Sequence, residues 1–371
     1  MNERERSNLE ENPPPAPRVL IAGGGTGGHA IPALCVADSL RTKGAAVEFV
    51  GSLSGIEADL VPKAGYKLHS LKLTGLVGGP VARVRAGLLL LRAIVGCRRL
   101  IRRFRPAAVL GVGGYASAPA VVAARSMKVP TFLHEQNSVP GIVNRIAARF
   151  TDEVMTAFPS AEKKLKNAGW VGMPTRREFF DSSKSEALAR LGLEPPVVLI
   201  FGGSGGALKI NLAAAEAFGD KTPYTVVQIA GRRDFPKLTT NNPRHLILEY
   251  AEDIWDYLAA SDVVVIRSGA GSLFDTAATG RAAILIPFPY AAGDHQLHNA
   301  RHFTDQGAGE LFPDSEVTAE SLKVRVENLL KDDDRRGELA RNMGGLANPQ
   351  AADVVAERLL EAATLSKEYK E

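Results

Sequence analysis

Cysteine is nearly absent: Cys35 and Cys97 are the only two in 371 residues. Isolated thiols exclude a disulfide framework and a cysteine-based zinc site, and they fit a reducing compartment. Long apolar runs are missing as well. The uninterrupted run at 86–91 falls far short of the roughly 20 residues that cross a bilayer. No cluster of His, Cys, Asp or Glu has the spacing of metal ligands. Asp332-Asp333-Asp334 lies among Lys331, Arg335 and Arg336 with no strand before it, so it reads as a solvated helix end. Neither a metal nor another cofactor is expected. The first 17 residues, charged and then proline-rich, lack the apolar core of a signal peptide and read as a disordered arm.

Acid is missing from one long stretch. Residues 60–134 hold no Asp or Glu but 13 Lys and Arg, so the rest of the chain, with 32 basic and 41 acidic residues, carries −9. Within it, residues 81–106 alternate leucines and arginines at roughly helical spacing. A helix of that kind suits an anionic membrane surface; an ordinary surface helix with its leucines packed inward fits about as well. Phe104 is the single aromatic among these arginines, which disfavours stacking on nucleic acid.

What the chain has in plenty is glycine, 36 residues. Residues 19–29, VLIAGGGTGGH, give a buried strand, a glycine turn and, at His29, the start of a helical pattern. Such a turn is a phosphate cradle, since glycines admit close backbone approach and helix-start amides point at an anion. The device returns at 198–207, VLIFGGSGGA, every position 178 residues on. Thr26 matches Ser204, but His29 is matched by Ala207, so only the first copy carries a titratable group. Two such loops at domain-length separation predict an α/β chain of two doubly wound, Rossmann-like domains.

Gly23, Gly25 and Gly28 satisfy the dinucleotide pattern, but no acid ends the second predicted strand, 46–51, which disfavours a nicotinamide cofactor. A third glycine turn spans 113–117. The predicted strand 129–133 ends in His134-Glu135-Gln136-Asn137, four polar residues where open α/β sheets bind ligands. Residues 169–180 read as a linker, whose Arg176-Arg177 is either a solvated hinge or a phosphate contact. Later strand ends lead into 251–254, 267–272 (with Asp275 on the helix after it) and 293–299, polar groups gathered on one rim as in a nucleotide site.

These segments resemble the MurG family of N-acetylglucosaminyltransferases: GGGTGGH (23–29), GVGGYASAP (111–119), HEQNSVPGIVNRIAARF (134–150), GMPTRREF (172–179), GGSGGA (202–207), RSGAGSLFD (267–275) and DHQLHNA (294–300). The resemblance spans nearly the whole chain after the arm. It implies a GT-B fold with an interdomain cleft: residues 18–171 plus a helix from about 350 forming the acceptor and membrane domain, and 172–349 the nucleotide-sugar domain. The donor it implies is UDP-N-acetylglucosamine. The acceptor is undecaprenyl-pyrophosphoryl-MurNAc-pentapeptide, met at the cytoplasmic face of the bacterial inner membrane, with no nucleic-acid partner. Carried over by position, Thr26, Gly27, Gly28, Asn137, Arg176, Ser204, Ala251, Ala270, Gly271, Ser272, Leu273, Phe274, Asp275 and Gln296 contact the donor. Gly113, Gly114 and Tyr115 meet the acceptor diphosphate. His29 is the base that takes the proton of the C4 hydroxyl, or else a ligand of the acceptor diphosphate, and Glu135 assists. Attack from the face opposite UDP inverts the anomeric carbon, and Ser204, the 205–206 amides, the helix dipole and Arg176 take up the charge on the leaving phosphate. A related enzyme acting on diacylglycerol is the alternative. Three positions depart from the family pattern and bear on donor affinity or choice: Met173 for Asn, Gly205 for Gln, and Asp275 for Glu.

Overall fold

Apolar runs that stop at glycine become the strands of two parallel sheets. The computed structural model describes residues 16–72, 79–203 and 205–368, leaving aside the side chains of 80–85 and 365–368; Ser204 and most of the predicted arm lie outside the described residues. Contacts divide the chain into two compact units: residues up to His134 with Val143–Val154 and Asp353 onward, and Glu135–Ile142 with Met155–Ala352.

The first sheet contains β1 (Arg18–Ala22), β2 (Ala46–Ser52), β3 (Lys67–Leu71), β4 (Ala108–Gly111), β5 (Thr131–Glu135), β6 (Glu153–Thr156) and β7 (Ala168–Trp170), in the order β3-β2-β1-β4-β5-β6-β7. The second contains β8 (Val197–Phe201), β9 (Thr225–Ile229), β10 (His245–Leu248), β11 (Val263–Arg267), β12 (Ala282–Ile286) and β13 (Glu310–Leu311), in the order β10-β9-β8-β11-β12-β13. Strand order reverses beside β1 in one and beside β8 in the other, where doubly wound sheets open a crevice for ligands. Val19–Ala22 and β8 read as unbroken apolar runs because helices cover both faces of a parallel sheet. Burying each such Val, Leu or Ile contributes roughly 1.5–3 kcal/mol.

Helix Pro80–Phe104 turns Ala86, Ala93, Cys97 and Ile101 inward, all buried. Burial pushes the Cys97 thiol up to about 12, so it is an inert packing group. The leucines do not all follow: Leu88 is 56% exposed and Leu91 61%, with Val95 at 48%. Arg92, Arg99, Arg102 and Arg103 lie on the same helix, Arg92, Arg102 and others toward solvent. An ordinary inward-packed helix would have buried that leucine row.

One local expectation is corrected. The polar run does not stop a strand at the rim: β5 continues through Glu135, and His134, Glu135 and Gln136 are each 1% exposed. Buried polar groups survive there because the turn beyond supplies donors, Asn137 N and Gly141 N each giving a hydrogen bond of 3.0 Å to the Glu135 carboxylate. Of the two arginines of the linker, Arg176 is half-buried behind the buried Val171, Met173 and Thr175, while Arg177 is exposed.

Candidate functional site

In the first unit the loops leaving β1 and β4 meet backbone to backbone. A Cβ on Gly23 would lie 2.7 Å from Gly113 O, and one on Gly114 would lie 2.5 Å from Gly24 O. Gly23, Gly24, Gly113 and Gly114 all have positive φ, so glycine is required at this crossing for space and for conformation. Thr26 is extended and leads into helix Gly27–Thr42, its carbonyl accepting from His29 N and Ala30 N at 3.1 Å each. The His29 ring, half-buried, rests against Gly113: a Cβ there would stand 3.1 Å from Cε1 and 3.3 Å from Nδ1. Tyr115, on the same turn as Gly113, is 53% exposed. The structure thus brings Thr26–His29 together with Gly113–Tyr115.

The helices that follow the glycine-containing turns share an omission. Gly27–Thr42, Leu208–Phe218 and Ala270–Thr279 have no side-chain cap and no acid in the first turn. Pro80–Phe104, Ser117–Ser126 and His295–Thr304 share it, whereas three helices are capped by a side chain: Ser183 accepts from Glu186 N, Thr318 and Ser321 form a capping box, and Asp332 accepts from Arg335 N. Leaving a cap out costs about 1 kcal/mol; here it leaves first-turn amides and the positive end of the dipole available to an anion.

In the second unit Arg176 and Asp275 come together. The Arg176 guanidinium lies 4.9 Å from the Phe179 ring and 5.0 Å from the Trp255 ring, a stack worth about 1–2 kcal/mol when desolvated. Its Nε is buried without a hydrogen-bond partner among the described residues. Burial pushes the Asp275 carboxyl up to about 7, with the Arg176 charge pulling against it. Gly271 and Ser272 are partly exposed on the turn before Asp275, and Ala270 begins the helix. Leu273 and Phe274 point into the core, Phe274 against Phe158 (5.1 Å) and Phe303 (5.5 Å), so they can offer a ligand only backbone. Ala251 is partly buried. Gln296 Oε1 accepts from Phe288 N at 2.9 Å and fastens the turn after β12.

Asn299, in the 294–300 segment, is a hub whose role its sequence context does not show. It is wholly buried. Its Oδ1 accepts from Ser138 N (2.9 Å) and Ser138 Oγ (2.8 Å), while Nδ2 donates to Asn137 Oδ1 (3.2 Å) and Ser268 O (3.3 Å). It ties the turn bearing Asn137 to the end of β11, just before Ala270. A second buried polar chain backs the 202–206 loop: Asn211 Nδ2 donates to Ala230 O at 2.8 Å and to Asp234 Oδ2 at 3.2 Å, and Gln228 Nε2 donates to Asn211 O at 3.0 Å.

The family models of the glycosyltransferase family 28 N-terminal and C-terminal domains match residues 19–156 and 197–357. The chain belongs to glycosyltransferase family 28. The two matches of this glycosyltransferase begin at β1 and at β8, the strands that lead into its two glycine loops. It is 64% identical, over 88% of its length and 98% of the relative's, to the UDP-N-acetylglucosamine--N-acetylmuramyl-(pentapeptide) pyrophosphoryl-undecaprenol N-acetylglucosamine transferase of Rubrobacter xylanophilus. Its identity to the Lactiplantibacillus plantarum protein of that name is 36%, over 91% of this chain and 97% of the relative. Among solved structures it is similar to Acinetobacter baumannii MurG, with a TM-score of 0.75 and 27% identity over 93% of this chain and 99% of that one.

Proposed function

We propose that this family 28 enzyme transfers N-acetylglucosamine from UDP-N-acetylglucosamine to the C4 hydroxyl of undecaprenyl-pyrophosphoryl-MurNAc-pentapeptide, with inversion. The observation that carries the reading is the 64% identity, across 88% of the chain, to a transferase named for that donor and acceptor. His29 is the base: a neutral imidazole can accept the hydroxyl proton as the oxygen attacks the anomeric carbon. Gly113, Gly114 and Tyr115 meet the acceptor diphosphate beside it, and Glu135 supports the turn carrying Asn137. Thr26, Gly27, Gly28, Asn137 and Gln296 face the donor. The uncapped start of Ala270–Thr279 and the 202–206 loop take the charge that develops on the leaving UDP. Asp275 accepts the ribose hydroxyls, and Arg176, held flat by Phe179 and Trp255, supplies positive charge beside it.

The exposed row Leu88, Leu91 and Val95 with its arginines is the docking face for an anionic membrane, at the cytoplasmic side of the bacterial inner membrane. Among the described residues no helix is long and apolar enough to cross a bilayer. Surface attachment through one amphipathic helix fits an acceptor whose lipid stays in the bilayer.

The test is product analysis. Labelled UDP-N-acetylglucosamine is offered with the muramyl lipid and diacylglycerol side by side. Label should pass to the muramyl lipid; transfer to diacylglycerol instead would overturn the acceptor.

A further inference from the structure

A buried carboxylate stands against each glycine loop, and the two differ. Glu57 lies five residues beyond the end of β2 and Asp234 five beyond the end of β9, the equivalent strand of the other sheet. Asp234 is wholly buried, and its Oδ2 would be 2.7 Å from a Cβ on Gly206. Arg233 pairs with it, Nε to Oδ1 at 2.8 Å and Nη2 to Oδ2 at 3.0 Å. Glu57, 1% exposed, has no cation partner among the described residues. Its Oε2 instead accepts from Gly25 N at 2.7 Å and its Oε1 from Ser52 N at 2.8 Å. Three glycines make room for it: a Cβ on Gly24, Gly51 or Gly55 would come to 2.1, 2.6 or 2.1 Å from its side chain.

From Glu57 the contacts run to His29. The carboxylate fixes Gly25 and packs on Gly24. Gly24 O abuts Gly114, and the neighbouring Gly113 is the surface on which the His29 ring rests. A charged acceptor bonded to backbone amides is a strong tether. The amide of Gly25, which an open phosphate loop would turn to its ligand, is already committed to an anion of the protein itself.

We propose that Glu57 is a positioning residue for sugar transfer: its carboxylate sets the first glycine loop and, through the Gly24–Gly114 contact, the orientation of His29. The proposal rests on the reading of His29 as the base. Glutamine cannot replace Glu57, because its NH2 would face one of the two N–H donors. Aspartate keeps the charge but is one methylene too short to span both amides.

Steady-state kinetics on the full chain, with UDP-N-acetylglucosamine and a muramyl lipid acceptor, would compare wild type, Glu57→Gln, Glu57→Asp, His29→Ala and the double variant His29→Ala/Glu57→Gln. Glu57→Gln should lose tenfold or more in kcat. Glu57→Asp should fall between it and wild type. In the double variant the losses should not add, because Glu57 acts through His29. Should Glu57→Gln unfold, Glu57→Asp and its double with His29→Ala carry the same comparison. Additive losses, or a folded Glu57→Gln within twofold of wild type while His29→Ala is slow, would overturn the positioning role alone. Wild-type turnover by His29→Ala would overturn the base reading and this proposal with it.

Discussion

Replacing Asn299 tests whether the donor-side architecture depends on one buried amide. In Asn299→Ala the buried Ser138 N–H and Oγ lose their acceptor, and Ser268 O and Asn137 Oδ1 lose a donor. A buried N–H left unpaired costs about 1–3 kcal/mol, and each further lost bond about 0.5–1.5 kcal/mol. The total is roughly 2.5–7.5 kcal/mol. For a unit of about 200 residues each kcal/mol moves the midpoint by roughly 2–4 °C, so calorimetry should record a drop of about 5–30 °C. Asn299→Asp separates the two halves of the amide. It keeps an acceptor for Ser138 but turns a carboxylate oxygen toward Ser268 O. At low pH the protonated carboxyl of that variant would again donate there, so its stability should recover relative to wild type as the pH falls. A midpoint within 2 °C of wild type for Asn299→Ala, or an Asn299→Asp difference flat with pH, would refute the reasoning.

Further outcomes follow from the same geometry. His29→Ala, measured at several pH values, should lose about 10²–10⁴ in kcat; near-normal kcat with only a raised acceptor KM would make His29 a diphosphate ligand instead. The folded Asp275 carboxyl titrates at about 7, and an unfolded aspartate near 4. The folded state therefore holds a proton that the unfolded state has released between those values. Stability from this group is present below about 4 and lost as the pH rises to about 7. Asp275→Asn should remove that decline, read as the midpoint difference between pH 5 and pH 8. Leu91→Glu, on the most exposed leucine of helix Pro80–Phe104, should weaken sedimentation with anionic vesicles at least tenfold, since a buried leucine contributes roughly 1.5–3 kcal/mol; unchanged sedimentation would remove the docking face.

The parallel sheets were legible because a strand covered on both faces must be apolar along its whole length, as VLIA before the first loop and VLIF before the second are. The glycine loops were legible because close backbone passage admits little else. The burial of the polar end of β5 was not: four polar residues in a row marked the end of a strand and a place for a ligand, and the Gly141 amide that pairs with Glu135 lies six residues on. Asn299 was hidden for a related reason. Its partners Ser138 and Ser268 are distant in sequence, and a lone asparagine on a helix gives no sign that it is buried. The leucine face of Pro80–Phe104 was half legible, since spacing gives amphipathicity but not which row faces inward.

The two units share strand order and loop, yet the loops are not interchangeable, and packing shows why. Ala207, the counterpart of His29, is 6% exposed, and a Cβ on Gly202 would already lie 2.3 Å from Ala207 Cβ. An imidazole at 207 would have to displace the loop. At position 29 the ring has a bed, because Gly113 has no Cβ and Glu57 holds the neighbouring backbone in place. The carboxylates follow the same division: Asp234 is neutralised by Arg233, whose bond and charge hold its carboxyl below the usual range, so the second loop stands beside a compensated charge. The first stands beside one that backbone amides hold and that has no cation partner among the described residues. A nucleotide diphosphate is better received where the neighbouring anion is already paired, and a proton acceptor is better placed where the backbone beneath it is tethered. The asymmetry of the proposed reaction thus arises from a few side chains beside the loops, on a strand order that the two sheets share through six strands.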